Sequence, residues 1–197
     1  TYTVQVEDDQ GGTASQTVTV TVQGTNDAPV IDAVNSDTTD IVAESGVVGG
    51  VTPSITGTIV ASDVDDDAEQ TWTINADNSA VTYGDFTINS DTGAWEYTLD
   101  NTLAATQALN AGDSVTQNYI VRVTDDFGAY DDQEVVINIT GTNDAPVITS
   151  TVAASNGAVV ESGHTDDGVV FAGTPNSTGQ LTATDVDAGA TQTWTAT

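Results

Sequence analysis

Oxygen-bearing side chains recur in this chain at fixed positions. Asn26-Asp27 returns as Asn143-Asp144, Asp63-Val64-Asp65 as Asp185-Val186-Asp187, and Glu44-Ser45-Gly46 as Glu161-Ser162-Gly163. Carboxylates, amide carbonyls and backbone carbonyls are the ligands of a hard cation such as calcium, which takes roughly six to eight of them. Each Asp-x-Asp pair follows a strand of alternating character, so both carboxylates project from one side of the strand end. Taken singly, Asp-x-Asp reads as a solvated loop, Asn-Asp-x-Pro as a turn and a lone Glu as nothing in particular. All three recur in one order in two successive copies, and that favours ion binding.

Other chemistry finds little here. There is no Ser/His/Asp set, no cysteine nucleophile and no Gly-rich phosphate loop. A glycosidase needs its two acids set across a sugar cleft, and acids gathered in copied segments suit ion binding better. The chain is therefore not expected to be an enzyme. His164 lies in a Gly/Asp loop without the His or Cys companions of a zinc site.

The charge is extreme, with 30 acidic residues against a single basic one, Arg122, for a net charge of −29. Self-repulsion on that scale expands a chain unless cations are bound. One arginine cannot neutralise phosphates, which excludes nucleic acid as a partner. An acidic membrane surface is excluded on the same ground, and no apolar run is long enough for direct membrane insertion. A halophile-type solvated surface is the competing account of the charge, and it leaves the repeated placement of the acids unexplained. Cysteine is absent, and secreted modules without disulfides use metal ions in their place.

The elements that must hold these ligands read as strands. Tyr2-Thr3-Val4-Gln5-Val6 and Val18–Val22 alternate apolar and polar residues, as do Tyr119/Val121/Val123 and Val135/Ile137/Ile139. Further candidates are Pro29–Ala33, Asp40–Ala43, Ser54–Ala61, Gln70–Asn75, Asp85–Asn89 and Ala94–Leu99. Short strands with turn signals between them predict an all-β fold of Greek-key β-sandwich domains. The Ala- and Leu-rich stretch Thr102–Asn110 predicts one or two helical turns with Leu103 and Leu109 inward. Trp72 and Trp194 share a repeat position and are expected in cores. Trp95 is expected there too, a carbohydrate platform being its other reading.

The octapeptide Gly24–Ile31 returns unchanged at Gly141–Ile148, 117 residues on. Past Gly163 the register slips by five, since Asp63/Asp65 and Trp72 align with Asp185/Asp187 and Trp194. The extra residues fall in the turn-rich stretches Thr165–Gly168 and Gly173–Asn176. The expected organisation is 1–26 as the C-terminal strands of one repeat, 27–143 as a complete repeat, and 144–197 as the N-terminal part of the next. Such a chain reads as a piece of a longer array.

Asp-Val-Asp, Tyr83-Gly84-Asp85-Phe86, Thr92-Gly93-Ala94-Trp95-Glu96-Tyr97, Ala108-Leu109 and Gly-Thr-Asn-Asp-Ala-Pro-Val-Ile together resemble the VCBS repeat. These are immunoglobulin/cadherin-like modules strung along giant bacterial RTX-type surface adhesins, and the resemblance covers essentially the whole chain. It implies calcium (Ca2+) at the junctions between modules. The first junction would use Asn26, Asp27, Asp63, Asp65 and Asp125. The second would use Glu44, Asp100, Asn143, Asp144, Asp185 and Asp187. The chain departs from the cadherin pattern at Gly24 and Gly141, where that pattern has an acid, and at Ala28 and Ala145, where it has Asn. Thr102 stands where the acidic partner of Leu99-Asp100 would be. The expectation is one or two ions per junction.

The function so implied is a calcium-stiffened spacer at the bacterial cell surface, secreted by a type I route. A calcium-dependent lectin-like module is the alternative, and a domain appended to a secreted hydrolase is a third class. Neighbouring repeats of the same chain are the expected partners. The two partial repeats, 1–26 and 144–197, are further expected to associate head to tail between molecules.

Overall fold

The computed structural model describes every residue except Val48, Gly49, Thr165 and Pro175, and at Phe171 the backbone alone. The chain opens with a hairpin of β1 (Tyr2–Glu7) and β2 (Thr13–Val18). Its turn is closed by Asp8, whose Oδ1 accepts the N–H groups of Gln10 at 3.0 Å and Gly12 at 2.7 Å. That turn pairs Tyr2 with Val18, so the expected strand Val18–Val22 does not form. Its alternation is sound, but residues 19–22 have no partner strand among the described residues.

The central domain follows as β3 (Val30–Ile31), β4 (Thr39–Ala43), β5 (Ser54–Thr58), β6 (Ala61–Ser62), β7 (Gln70–Asp77), β8 (Gly84–Ile88) and β9 (Ala94–Leu99). Then come α1 (Ala104–Gln107), β10 (Ser114–Asp125) and β11 (Tyr130–Thr140). One sheet has the order β4-β11-β10-β7, with β4 parallel to β11 and the other pairs antiparallel; the other sheet is β5-β9-β8. The expected strand Ser54–Ala61 divides into β5 and β6 because the chain changes sheet there. Ile59 gives its N–H to Gly93 and Val60 gives its own to the Ser36 hydroxyl.

Alternation on β10 and β11 places Val121, Val123, Val135, Ile137 and Ile139 between the sheets, facing Phe86, Trp95, Tyr97 and Leu99. Fully burying one such aliphatic or aromatic side chain contributes about 1.5–3 kcal/mol, so this layer dominates the domain's stability. Phe86 stacks on Tyr119 at 4.4 Å and on Trp95 at 5.5 Å between ring centroids. The buried Tyr97 hydroxyl donates to the Gln117 carbonyl oxygen. Leu109 is inward as expected, while Leu103 is half-buried.

Beyond residue 143 lie β12 (Val147–Ile148), α2 (Val152–Ser155), β13 (Gly163–His164), β14 (Val170–Phe171) and β15 (Ala183–Thr184). The β12–β15 ladder repeats the β3–β6 ladder, Val147↔Thr184 standing for Val30↔Ser62. The insertion expected before it takes in the β13–β14 hairpin; Thr165 and Pro175 of that stretch lie outside the described residues. Trp72 is buried because β7 pairs with β10, Trp72 opposite Val123. Trp194, expected in a core by the same repeat position, is instead 49% exposed, since among the described residues no strand pairs with its segment. No helix among the described residues is long and apolar enough to cross a membrane.

Candidate metal centre

The second junction is built where β11 runs out. β4 lies alongside β11, and Glu44, the first residue past β4, gives its N–H to the carbonyl of Thr140 at 2.9 Å. This delivers its carboxylate to the linker. Oε2 accepts the Thr142 N–H at 3.4 Å, and Oε1 accepts Nε2 of Gln107 at 3.0 Å. Residues 142–144 then meet the loop that holds Asp185 and Asp187. Asp144 donates its N–H to Oδ2 of Asp187 at 3.0 Å, and Asp187 donates its own to Oδ1 of Asp185 at 3.1 Å. A further bond adds to these, Ala188 N–H to the carbonyl of Ala108 at 3.1 Å.

Glu44, Asp144 and Asp187 are only 3%, 2% and 7% exposed. Burial pushes the Glu44 carboxyl up to about 7, with the charges of Asp144 and Asp187 adding to it and the Thr142 N–H opposing. Asp144 is raised as well, by burial first and then by Asp187. Oδ2 of Asp144 and Oδ1 of Asp187 are buried with no hydrogen-bond partner. No cation offsets this. Arg122, the only basic residue besides His164, is held by Asp132 at 2.7 Å and lies 3.6 Å above the Tyr130 ring.

The first junction repeats the local geometry. Asp27 donates its N–H to Oδ2 of Asp65 at 2.7 Å, and Asp65 donates to Oδ1 of Asp63 at 3.0 Å. Asn26 bonds the Asp27 carbonyl at 2.8 Å, as Asn143 bonds that of Asp144 at 2.6 Å. Oδ2 of Asp63 is buried without a partner. Asp125, from the β10–β11 turn, accepts Nδ2 of Asn26 at 2.8 Å, and that bond is the leading cause of its lowered pKa. The backbone N–H groups of Phe127 and Ala129 hold its other oxygen.

The structure thus links all five residues of the first junction. Of the second it joins Glu44, Asp144, Asp185 and Asp187, with Asn143 turned to its neighbour's carbonyl. Asp100 stands apart. Its Oδ1 accepts the N–H of Thr102 at 2.8 Å and the hydroxyl at 2.6 Å, which lowers its pKa. Glu161 is exposed. The sequence pattern carries no sign of Gln107, buried against Glu44, because the partner that gives it a role lies 63 residues away. Trp95 is 2% exposed and gives its Nε1–H to the carbonyl of Asp37 at 3.0 Å, so its ring is no platform for a sugar.

Among the described residues, no group of three or more His, Cys, Asp or Glu side chains is placed so that it could by itself hold a metal ion. The donors still fit one kind of ion. They are all oxygens, the type a hard cation such as calcium takes. Glu44, Asp125, Asp144 and Asp187 are buried while Asn26, Asp27 and Asn143 are exposed, and Oδ2 of Asp63, Oδ2 of Asp144 and Oδ1 of Asp187 have no hydrogen-bond partner. Without an ion, buried carboxylates take up protons instead, the direction in which Glu44 and Asp144 are shifted.

No family model and no curated protein matches the sequence. Among solved structures the chain is similar to Drosophila N-cadherin EC1-4, at 20% identity and a TM-score of 0.42, covering 70% of this chain and 31% of that one. It is similar to the protocadherin GammaB4 extracellular domain at 20% identity and a TM-score of 0.48, covering 95% and 29%. Human protocadherin-24 EC1-2 matches at 21% identity and a TM-score of 0.37, covering 79% and 62%. The chain spans less than a third of the first two proteins and under two thirds of the third. The all-β sandwich itself rests on the strand pairing described above.

Proposed function

We propose that this chain is a run of calcium-stiffened extender modules from a large bacterial cell-surface adhesin of the VCBS, RTX-associated kind. Its work is to project terminal adhesive domains, in cell adhesion and biofilm formation, from an extracellular array exported by a type I route. One observation carries the reading. Glu44 from one module, Asp144 from the linker and Asp187 from the next module are buried together with no counter-cation.

A bound calcium ion would supply the positive charge this cluster lacks. Glu44 and the Glu44–Thr142 contact fix the linker's exit from one sheet. Asp187 and Asp185 hold its entry to the next through the Asp144 N–H. When the three carboxylates repel, these bonds compete with the repulsion and the angle between modules loosens. When their charge is neutralised, the same bonds fix the angle. Extracellular sites of this type bind at roughly 10⁻⁴–10⁻³ M, so external calcium fills them while cytosolic calcium does not.

A thermal melt with and without calcium tests this. At a free ion concentration about a hundredfold above Kd, stabilisation is about 2.7 kcal/mol, a rise on the order of 10 °C for a domain of this size. Asp185→Asn with Asp187→Asn should remove most of the rise at the second junction. A melt and a small-angle scattering curve that both ignore calcium would refute the proposal.

A further inference from the structure

We infer that Gln107 is a further ligand of the second junction's cation, through its side-chain oxygen. This rests on the calcium reading above and names a residue that reading did not include. Gln107 closes α1, the single helical turn between β9 and β10, and is only 4% exposed. Its Nε2 is committed to Oε1 of Glu44 at 3.0 Å. That bond fixes the plane of the amide and leaves Oε1 on the other arm. This oxygen is buried and has no hydrogen-bond partner.

Neighbouring bonds tie this turn to the Asp185–Ala188 loop and to the linker. The next residue's carbonyl, that of Ala108, receives the N–H of Ala188. Ala188 directly follows Asp187, whose Oδ1 is buried and unpartnered, as is Oδ2 of Asp144. Three orphaned oxygens therefore come from three separate pieces of chain: α1, the linker and the Asp185–Ala188 loop. Glu44 ties the first two together, through Gln107 and through Thr142.

The residue type suits the place. A fourth carboxylate would add charge to a cluster that already raises Glu44 and Asp144. An amide contributes an oxygen of the type calcium accepts and no charge. Its N–H₂ group meanwhile donates to Glu44 and orients that ligand.

Calorimetric titration of the 197-residue chain with calcium separates the outcomes. Gln107→Leu keeps the size and removes both arms of the amide; it should weaken second-junction affinity by about tenfold or more. Gln107→Glu removes the donor to Glu44 and keeps an oxygen ligand; it should bind calcium at least as tightly as the parent chain, while melting lower in chelator. A residue acting only as a donor to Glu44 would give the reverse order, with Gln107→Glu the weaker binder. That order, or unchanged affinity in Gln107→Leu, overturns the inference. Asp187→Asn is the control: its loss of affinity beside an unaffected Gln107→Leu sinks this inference alone. A parent chain that takes up no calcium sinks the parent reading with it.

Discussion

At Glu44 burial outweighs the contacts that favour the charged form, and this makes the junction's electrostatics measurable without any metal. The folded-state pKa, about 7, lies above the ordinary glutamate value of 4.5, because burial and then the neighbouring carboxylates disfavour the charge. The folded protein thus holds the proton more tightly than the unfolded chain. The stability this confers is complete below about 4.5 and is lost as pH rises through about 7. In chelator the melting temperature should fall across that window, and Glu44→Gln should remove most of the fall. A parent chain as pH-sensitive as the variant would be at odds with it. Gly141 poses a different residue-scale question, that of close packing. A Cβ on Gly141 would lie 2.5 Å from the carbonyl oxygen of Asn110 and 2.7 Å from that of Leu109, whereas one on Gly24 meets nothing within 4 Å. At 141 the backbone of residues 109–110 occupies the space a side chain would need. Gly141→Ala should cost about 1–3 kcal/mol in urea unfolding, and Gly24→Ala should stay within about 0.5 kcal/mol. Equal effects at the two sites would contradict the packing account.

Within the β5-β9-β8 sheet, Gly57 of β5 lies opposite Trp95 of β9, and the indole fills the space beside it. A Cβ there would run into the indole and come within 2.6 Å of Asp37 Cβ. Gly57→Ala should therefore displace Trp95, break its bond to the Asp37 carbonyl and destabilise the domain by about 1–3 kcal/mol, read from denaturant midpoints and tryptophan fluorescence. Elements whose information is local were legible beforehand. The alternation of Tyr119/Val121/Val123 and Val135/Ile137/Ile139 located β10 and β11, and the turn signals located most boundaries. Elements that depend on a distant partner were not. Val18–Val22 alternates as well as β11 does, but among the described residues no strand pairs with 19–22, and Trp194 matches Trp72 in repeat position but no strand among the described residues pairs with its segment. The site divides the same way. Asp27 with Asp63 and Asp65, and Asp144 with Asp185 and Asp187, were visible as repeated motifs that local hydrogen bonds then join. Gln107 was invisible because what gives it meaning is Glu44, 63 residues away. Asp100 looked like a ligand, yet Thr102 two residues on engages it first, the usual competition from a short polar side chain.

For the molecule as a whole, charge and exposed apolar surface act in opposite senses. With 30 acids and one basic residue, two copies repel at long range. The hairpin nonetheless presents Tyr2, Val4 and Val6 to solvent on one strand face, and the far module presents Val147, Ile148 and Trp194. Burying such side chains contributes about 1.5–3 kcal/mol each when complete. The repulsion reaches about 30 Å at 0.01 M salt and only about 8 Å at 0.15 M. Salt should therefore decide between the two. At low salt the chain should be monomeric. At physiological salt and high concentration it should associate head to tail, the Tyr2/Val4/Val6 face of one copy against the Val147/Ile148/Trp194 region of another. Light scattering across a salt series measures this directly. Residues 27–143 alone should stay monomeric throughout, and so should a Tyr2→Ser, Val4→Thr, Val6→Thr variant of the full chain. A parent chain that is strictly monomeric at every salt concentration would show that the apolar faces do not outweigh the charge, and the association would have to be abandoned. Calcium should act on this balance from the other side, because neutralising the junction acids lowers the repulsion without touching the strand faces; association in the parent chain should accordingly begin at lower salt when the ion is present.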